Sequence, residues 1–550
     1  MTISTIKDLF VHTTEKNAEY PAFGFVGEES LTYKHFREKV QSVMAYLKSK
    51  GISKGDKVGI LSTNQPHWGV SYFAIINMGA VVVPILPDFL ESEIENVLEH
   101  SETKALFVSE TLYRKVKPAL FDKLKFVMLV EQFAEVVVNT PENELAKLPT
   151  SLGATKEYEY AEIEKNDLAT IIYTSGTTGK SKGVMLSHWN LVFTVFGSGK
   201  IHPMGTRDRL ISILPLSHTY ENTIAFLLPF YSGAAVYYLR KPPVPSVLLP
   251  ALKIVKPTIM LSVPLIMEKI YKGKILPNIN SKAITRVLYK FGPTRKLLNK
   301  VAGKKLMETF GGCVEFFGVG GAKLDPEVER FLIEAKFPYA VGYGLTETAP
   351  LLAGFNSFEG KFQSTGPAMD GVTLKINNPD PVTGQGEIWA KGDNVMLGYY
   401  KEPELTAEVI TSNGWFKTGD LGAFDEQGYV FIKGRLKNMI VGASGENIYP
   451  EEIEAVINRF KLVLESVVVQ KKGKLVAMVH FNMEEIEAKY KDLKEQANVY
   501  VEKQLEELTV ELQQFVNSQV NKFSRVQIVV AHLEPFEKTA TKKIKRFLYY

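Results

Sequence analysis

The chain has 550 residues, 45% apolar and 23% charged, which fits a soluble globular protein of two to four domains and excludes disordered or collagen-like architectures. Lys and Arg total 65 against 61 Asp and Glu, a net charge of +4, so the protein is not basic overall. Cys313 is the single cysteine; it permits no internal disulfide and no multi-cysteine metal site, and it fits a reducing, cytoplasmic setting.

The first ten residues, MTISTIKDLF, lack the apolar core of a secretory leader, and none is expected. Phe36, Val40, Val43, Met44 and Leu47 recur at helical spacing, and Gly51 is placed to end that helix. The uncharged run 58–87 is long enough to cross a bilayer. Asn64, Gln65, Pro66, Asn77, Gly79 and Pro84 interrupt it, so the pattern predicts strand 58–61, buried helix 66–77 and strand 80–85. Residues 105–108 and 126–130 read as further apolar strands. The uncharged run 222–239 breaks at Pro229, Ser232 and Gly233 and reads as helix, turn, strand. This alternation predicts an α/β fold with largely parallel sheets.

Beyond Asp370 the pattern becomes antiparallel. Residues 386–390 read as a strand, and 421–424 and 429–432 flank Asp425, Glu426, Gln427 and Gly428 as a hairpin. A glycine-containing loop follows at 441–447, then a helix from about Pro450, whose Glu451, Glu452 and Glu454 suit its positive end. Residues 466–470 and 475–480 read as strands and 485–518 as a polar helical region. A domain boundary is expected near 435–437, and there is no internal repeat.

The most informative segment is 173–183, YTSGTTGKSKG, directly after the apolar run 168–172. Its glycines allow tight turns that expose backbone N–H groups, its hydroxyls add donors, and its lysines add positive charge, as a polyphosphate requires. It is not a Walker loop. Gly179, Lys180 and Ser181 match that motif's end, but its first glycine would fall at Thr174.

The segment closely resembles the signature loop of the adenylate-forming enzymes, which include acyl-CoA synthetases, peptide-synthetase adenylation domains and luciferases. Further segments resemble that family's other motifs, in order: LPLSHTYE (214–221) beside the acyl pocket, GVGGA (318–322) and GYGLTET (342–348) at the nucleotide, KTGD (417–420) at the ribose, GRLK (434–437) at the hinge and KIKR (543–546) for the catalytic lysine. One departure is Lys542, which stands where the family usually has glycine. The choice of Lys543 rests on the following Ile544.

The resemblance implies a large N-terminal domain (1–436) of stacked α/β sheets with a small β-barrel-like unit. It also implies a small mobile α+β C-terminal domain (437–550). It implies ATP, Mg2+ and coenzyme A: a carboxylate attacks the α-phosphorus of ATP to give an acyl-adenylate and pyrophosphate, and a thiol then displaces AMP. Thr174 and Glu347 are the implied magnesium ligands. Ser175, Gly176, Thr177, Thr178, Gly179 and Lys182 would cradle phosphates, and Thr346 would lie near the α-phosphate. Gly320, Gly321, Ala322 and Gly344 would let adenine approach the backbone, with Tyr343 stacking on it. Asp420 would accept from the ribose hydroxyls, and Arg435 would contact ribose or phosphate. Lys437 would be the hinge, Lys543 would bridge carboxylate and α-phosphate, and His218 would line the acyl or phosphate pocket. His188 reads as structural.

The segment 261–274, LSVPLIMEKIYKGK, resembles the long-chain fatty acid branch, which implies a fatty acid substrate. Between Lys269 and Met307 stand 11 Lys or Arg and no Asp or Glu, with Ile284, Val287, Leu288 and Phe291 at helical spacing. A peripheral contact with an anionic membrane through 269–307 is expected. No recognition motif accompanies the charge, so no nucleic acid is expected. Without these 11 residues the chain would hold 54 basic against 61 acidic residues.

Overall fold

The computed structural model describes residues 2–136, 145–147, 160–175, 181–441, 447–488, 497–539 and 543–550. Two large sheets, largely parallel in their interiors, organise the chain up to Tyr399. One runs, edge to edge among the described residues, through Gly398–Tyr399, Ser181–Ser187, Leu168–Ser175, Val81–Ile85, Lys57–Leu61, Ala105–Val108, Val127–Leu129, Ala134–Val136 and Leu145–Lys147. The other runs Leu351–Gly354, Tyr339–Gly344, Phe316–Val319, Ile259–Ser262, Arg209–Ile211, Ala235–Tyr238, Pro21–Phe25 and Leu31–Thr32.

The run 58–87 forms strand Lys57–Leu61, helix Pro66–Asn77 and strand Val81–Ile85, largely buried, with a bend at Asn64 and a turn at Met78–Gly79 separating the elements. Helix Tyr33–Ser49 buries Phe36, Val40, Val43, Met44 and Leu47. An aromatic cluster joins helices to the second sheet: Phe73 and Phe230 have ring centroids 4.5 Å apart, and Phe23 and Phe36 4.8 Å. Tilted and edge-on aromatic pairs of this kind add to the burial that drives folding. Among the described residues no helix is long and apolar enough to cross a membrane.

The later chain forms a four-stranded antiparallel sheet, Thr373–Asn377, Gly386–Lys391, Phe416–Phe424 and Val430–Arg435. From Ile440 a separate core begins. Helices Pro450–Ile457 and Ala497–Gln519 cover a three-stranded sheet, Val463–Lys471, Lys474–Phe481 and Ile528–Ala531, burying Ile453, Val468, Leu508 and Leu512. Most of the expected loop 441–447, and residues 489–496 of the expected helical region, lie outside the described residues.

The basic stretch departs from one expectation. Ile284, Val287 and Leu288 share helix Ala283–Leu288, but Phe291 caps the next helix, Gly292–Thr309. Pro293 lacks the N–H to extend the first helix and instead suits the second's opening turn.

His188 is structural, as its sequence context suggests. It is 1% exposed, and its Nδ1 accepts the Ile6 N–H at 3.3 Å. Burial pushes its pKa down to about 4, against the opposing charge of Asp167 and Asp8. The unfolded imidazole protonates near its ordinary value, so this contribution to stability is whole above about pH 6.5 and lost as pH falls toward 4. Chemical denaturation at pH 7 and pH 5 should show wild type losing on the order of 2 kcal/mol more than His188→Gln on acidification; equal losses would assign the effect elsewhere.

Candidate functional site

The glycine-rich loop joins two antiparallel strands. Tyr173 is buried and its hydroxyl meets His100 Nδ1 at 2.8 Å, and the ladder continues past the apolar run to Ser175, which pairs with Ser181. Thr174 pairs in register with Lys182. Gly176, Thr177, Thr178 and Gly179 lie outside the described residues. Lys182 Nζ stands 5.2 Å from the Tyr399 ring centroid, and the Tyr399 hydroxyl donates to Glu347 Oε1 at 2.8 Å. Glu347 sits in the single turn Thr346–Thr348, and its carbonyl accepts the Met396 N–H at 2.9 Å. Thr174, Lys182, Tyr399 and Glu347 thus form one connected wall.

The second wall lies beyond the carboxyl ends of the parallel strands Phe316–Val319 and Tyr339–Gly344, where open α/β sheets offer a crevice. Gly320, Gly321 and Ala322 follow the first strand, and Gly321 has φ +87°, a conformation glycine adopts without strain. At Gly344 a Cβ would stand 1.7 Å from the Pro350 carbonyl oxygen, so no side chain fits. Tyr343 is buried and donates its hydroxyl to Asp420 Oδ2 at 2.8 Å.

The four-stranded sheet supplies the third wall. Asp420 and Arg435 are cross-strand partners, and Arg435 Nε lies 2.8 Å from Asp420 Oδ1. Arg435 Nη1 also donates to the Thr418 carbonyl at 3.2 Å. Burial raises the Asp420 pKa, opposed first by the Arg435 charge, then by the Tyr343 hydroxyl and Lys543, while Glu347 adds to the rise. Each carboxylate oxygen keeps a lone pair beyond its present partner.

The C-terminal arm closes the cleft. Glu537 and Lys545 are joined through backbone, as are Thr539 and Lys543, and Ile544 bridges Lys538. Arg546 anchors the arm: its Nη1 and Nη2 meet Glu454 Oε1 and Oε2 at 2.6 and 2.7 Å, a bidentate pair. Desolvation by the cleft walls lowers the Lys543 pKa, followed by the Arg435 charge, with Asp420 and Glu347 opposing. Its side chain stays solvent-exposed, so water screens part of this effect. Lys542 lies outside the described residues.

His218 is half-buried. Its Nδ1 accepts the Tyr220 N–H at 3.2 Å, which leaves Nε2 as the protonated nitrogen of the neutral ring. Burial, then the Lys543 charge, pushes its pKa down to about 4. Tyr220 lines an adjoining apolar cavity together with Ile224, Leu261, Gly318, Val341 and Phe355. No Asp, Glu, Lys or Arg lines it. Beside it Glu221 is 1% exposed, accepts from Ser212 at 2.6 Å, and is pushed up to about 8 by burial.

The structure therefore gathers Asp420, Arg435, Tyr343, Glu347, Lys543 and His218 around one cleft. Lys437 stands apart, exposed in the turn Leu436–Asn438. Sequence reasoning missed Tyr399 and Arg546 as supports, since the partners that give them meaning are remote in sequence. It also gave Glu221 no role, although an acid opening an uncharged run is a legible signal.

Arg435→Gln would leave the Asp420 carboxylate without its cation. A carboxyl pKa raised in the fold means stability is lost as pH rises through that value. Urea denaturation should show the variant's deficit against wild type widening from pH 5 to pH 8, reaching about 1–3 kcal/mol. A deficit independent of pH would sink this assignment.

The family described as AMP-binding enzyme matches residues 10–400. A Drosophila melanogaster protein named long-chain-fatty-acid–CoA ligase heimdall is 30% identical over 83% of this chain and 72% of its own length. A Mycobacterium bovis protein named long-chain-fatty-acid–CoA ligase FadD15 is 32% identical over 78% and 74% respectively. The ATP-bound structure of MatB from Rhodopseudomonas palustris superposes with TM-score 0.76 at 24% identity, covering 99% of this chain and 98% of that one. The Bacillus subtilis o-succinylbenzoate CoA synthetase MenE, holding its acyl-adenylate, gives 0.75 at 21% identity, covering 98% and 97%. These two show the shared fold, and the family match through most of the sheets carries the identity: the chain belongs to the AMP-binding enzyme family and is an adenylate-forming acid–thiol ligase.

Proposed function

We propose that the protein activates a long-chain fatty acid with ATP and transfers the acyl group to coenzyme A. The observation that carries this reading is the apolar lining of the cavity beside Tyr220, to which no Asp, Glu, Lys or Arg contributes. An acid bearing a second charge would lose its hydration there without a partner, whereas an alkyl chain gains from burial. Relatives named for long-chain fatty acids at about 30% identity support the same substrate class.

The roles follow from the cleft. Lys543 stands where it can neutralise the entering carboxylate and the charge building on the α-phosphate, the contribution expected to dominate such a reaction. Asp420 takes the ribose hydroxyls, with Tyr343 and Arg435 fixing its orientation. His218, neutral near pH 7, offers its Nε2–H to a carboxylate or phosphate oxygen. Ser175, Gly176, Thr177, Thr178, Gly179, Lys182 and Thr346 receive the phosphates, and Gly320, Gly321, Ala322 and Gly344 receive the adenine.

Among the described residues no three His, Cys, Asp or Glu converge as a metal cage. Glu347 and Thr174 instead offer two oxygen donors, a donor set that fits Mg2+ arriving with a polyphosphate that completes its shell. Such an ion would offset charge on the phosphate oxygens. Residues 1–436 and 437–550 form the two domains of the reading. Lys437 is the hinge on which the smaller swings between half-reactions, and the enzyme works in the cytoplasm.

A coupled AMP-release assay with coenzyme A across acyl chain lengths tests the substrate. Long-chain acids should give the highest kcat/KM, and a clear preference for short or aromatic acids would overturn the reading. AMP release that required a carrier-protein thiol instead of coenzyme A would favour the other acceptor. In ATP–pyrophosphate exchange, Lys543→Ala should lose about 100-fold or more while Lys542→Ala stays near wild type. Lys437→Pro should damage thioester formation more than adenylation; equal loss of both would remove the hinge.

A further inference from the structure

We infer that residues 282–301 form a docking surface for an anionic lipid bilayer. The start of the basic stretch is tied down, since Tyr271, Ile275 and Ile279 are buried in the main core. Its last helix is anchored too. Asn299, Gly303 and Leu306 are buried, and Arg295 pairs with Glu334 at 2.8 Å. The region between and around these anchors is thus held in place while its remaining side chains face outward.

Those side chains are of two kinds. Ile284 is 73% exposed, Phe291 59%, Leu297 64% and Val301 54%. Lys282, Arg286, Lys290, Lys296 and Lys300 are exposed among them. No Asp or Glu occurs from 269 to 307. Large apolar groups left in water beside unopposed cations call for a partner that is anionic at its surface and apolar just beneath. A bilayer bearing anionic headgroups answers both demands, with cations at headgroup level and Ile284, Phe291 and Leu297 below it. Nucleic acid answers only the first. A like copy of the same surface would repel it.

The placement adds a second argument. Leu261, on strand Ile259–Ser262, lines the apolar cavity, and helix Pro264–Ile270 leads from that strand into the basic stretch. The surface is therefore continuous in chain with the cavity wall. The inference does not depend on acyl chain length, because binding can be measured without substrate.

The test is co-sedimentation of the full chain with phosphatidylcholine vesicles, with and without phosphatidylglycerol. Binding should require the anionic lipid and weaken as salt rises. A Lys282→Gln, Arg286→Gln, Lys290→Gln triple variant should partition about 100-fold less, near fivefold per cation. Ile284→Ser with Phe291→Ser should weaken binding while leaving its salt dependence. Both variants should keep wild-type adenylation of a soluble short-chain acid, which shows that they fold. Equal binding to neutral and anionic vesicles, or undiminished binding by both variants, would overturn the inference. So would absence of vesicle binding together with a self-association or nucleic-acid affinity that the same substitutions abolish.

Discussion

The cleft depends on the pairing of Asp420 with Arg435. A carboxylate this enclosed is expensive to ionise, and the guanidinium across the strand ladder is the nearest thing that offsets the cost. The same neighbourhood holds Glu347 and Lys543, so two carboxylates and two cations from separate chain segments meet there, with Asp420 buried and the other three partly open to solvent. None of these charges is well placed alone. Their mutual neutralisation fixes where the four-stranded sheet, the turn at 346–348 and the C-terminal arm must stand relative to one another.

Tyrosines hold this arrangement. Tyr343 carries a proton toward Asp420, and Tyr399 carries one toward Glu347, while burial keeps both phenols protonated. Each carboxylate is thereby aimed before any substrate arrives, which is how a polar site avoids reorganising during reaction. Gly344 lets the strand pass against the Pro350 carbonyl, and Arg546 ties the arm bearing Lys543 to Glu454 in the smaller unit. The adjoining cavity is lined almost wholly by apolar groups, and His218 and Glu221, on either side of its lining residue Tyr220 in the chain, both favour their neutral forms near pH 7. An apolar pocket beside a charged cleft suits a substrate with a carboxylate head and an apolar body.

Charge is partitioned on a larger scale as well. The small net charge of +4 conceals 11 cations in one 39-residue stretch and an acidic balance elsewhere. The fold accentuates the contrast, because the stretch is anchored at Tyr271, Ile275, Ile279, Asn299, Gly303 and Leu306 while Lys282, Arg286, Lys290, Lys296 and Lys300 stay exposed. Two electrostatic features therefore coexist without mixing. One lies in the cleft, where acids and cations offset one another; the other lies on the surface and, in the pairs described, is met by an acid only where Arg295 meets Glu334.

Motif order, the α/β alternation and the buried run 58–87 were legible because each is a local pattern: glycine spacing, hydrophobic periodicity, turn residues at breaks. Lys543 was named for the same reason, from the isoleucine after it. What chain order left unsettled is which residues face which. Tyr399 gains meaning only where it meets Glu347, 52 positions earlier, and Arg546 only where it meets Glu454, 92 positions away. The strand through Tyr173 runs past its apolar pattern to Ser175, paired with 181–183 of the neighbouring strand, a partner that the apolar pattern of 168–172 does not reveal. The sequence by itself determined the class of chemistry, since phosphate-binding loops are written in consecutive residues. Only the tertiary structure decided how the charges are paired, which residues line the apolar cavity and which apolar residues stay exposed. Burial and electrostatics depend on distance in space, and distance along the chain does not fix it.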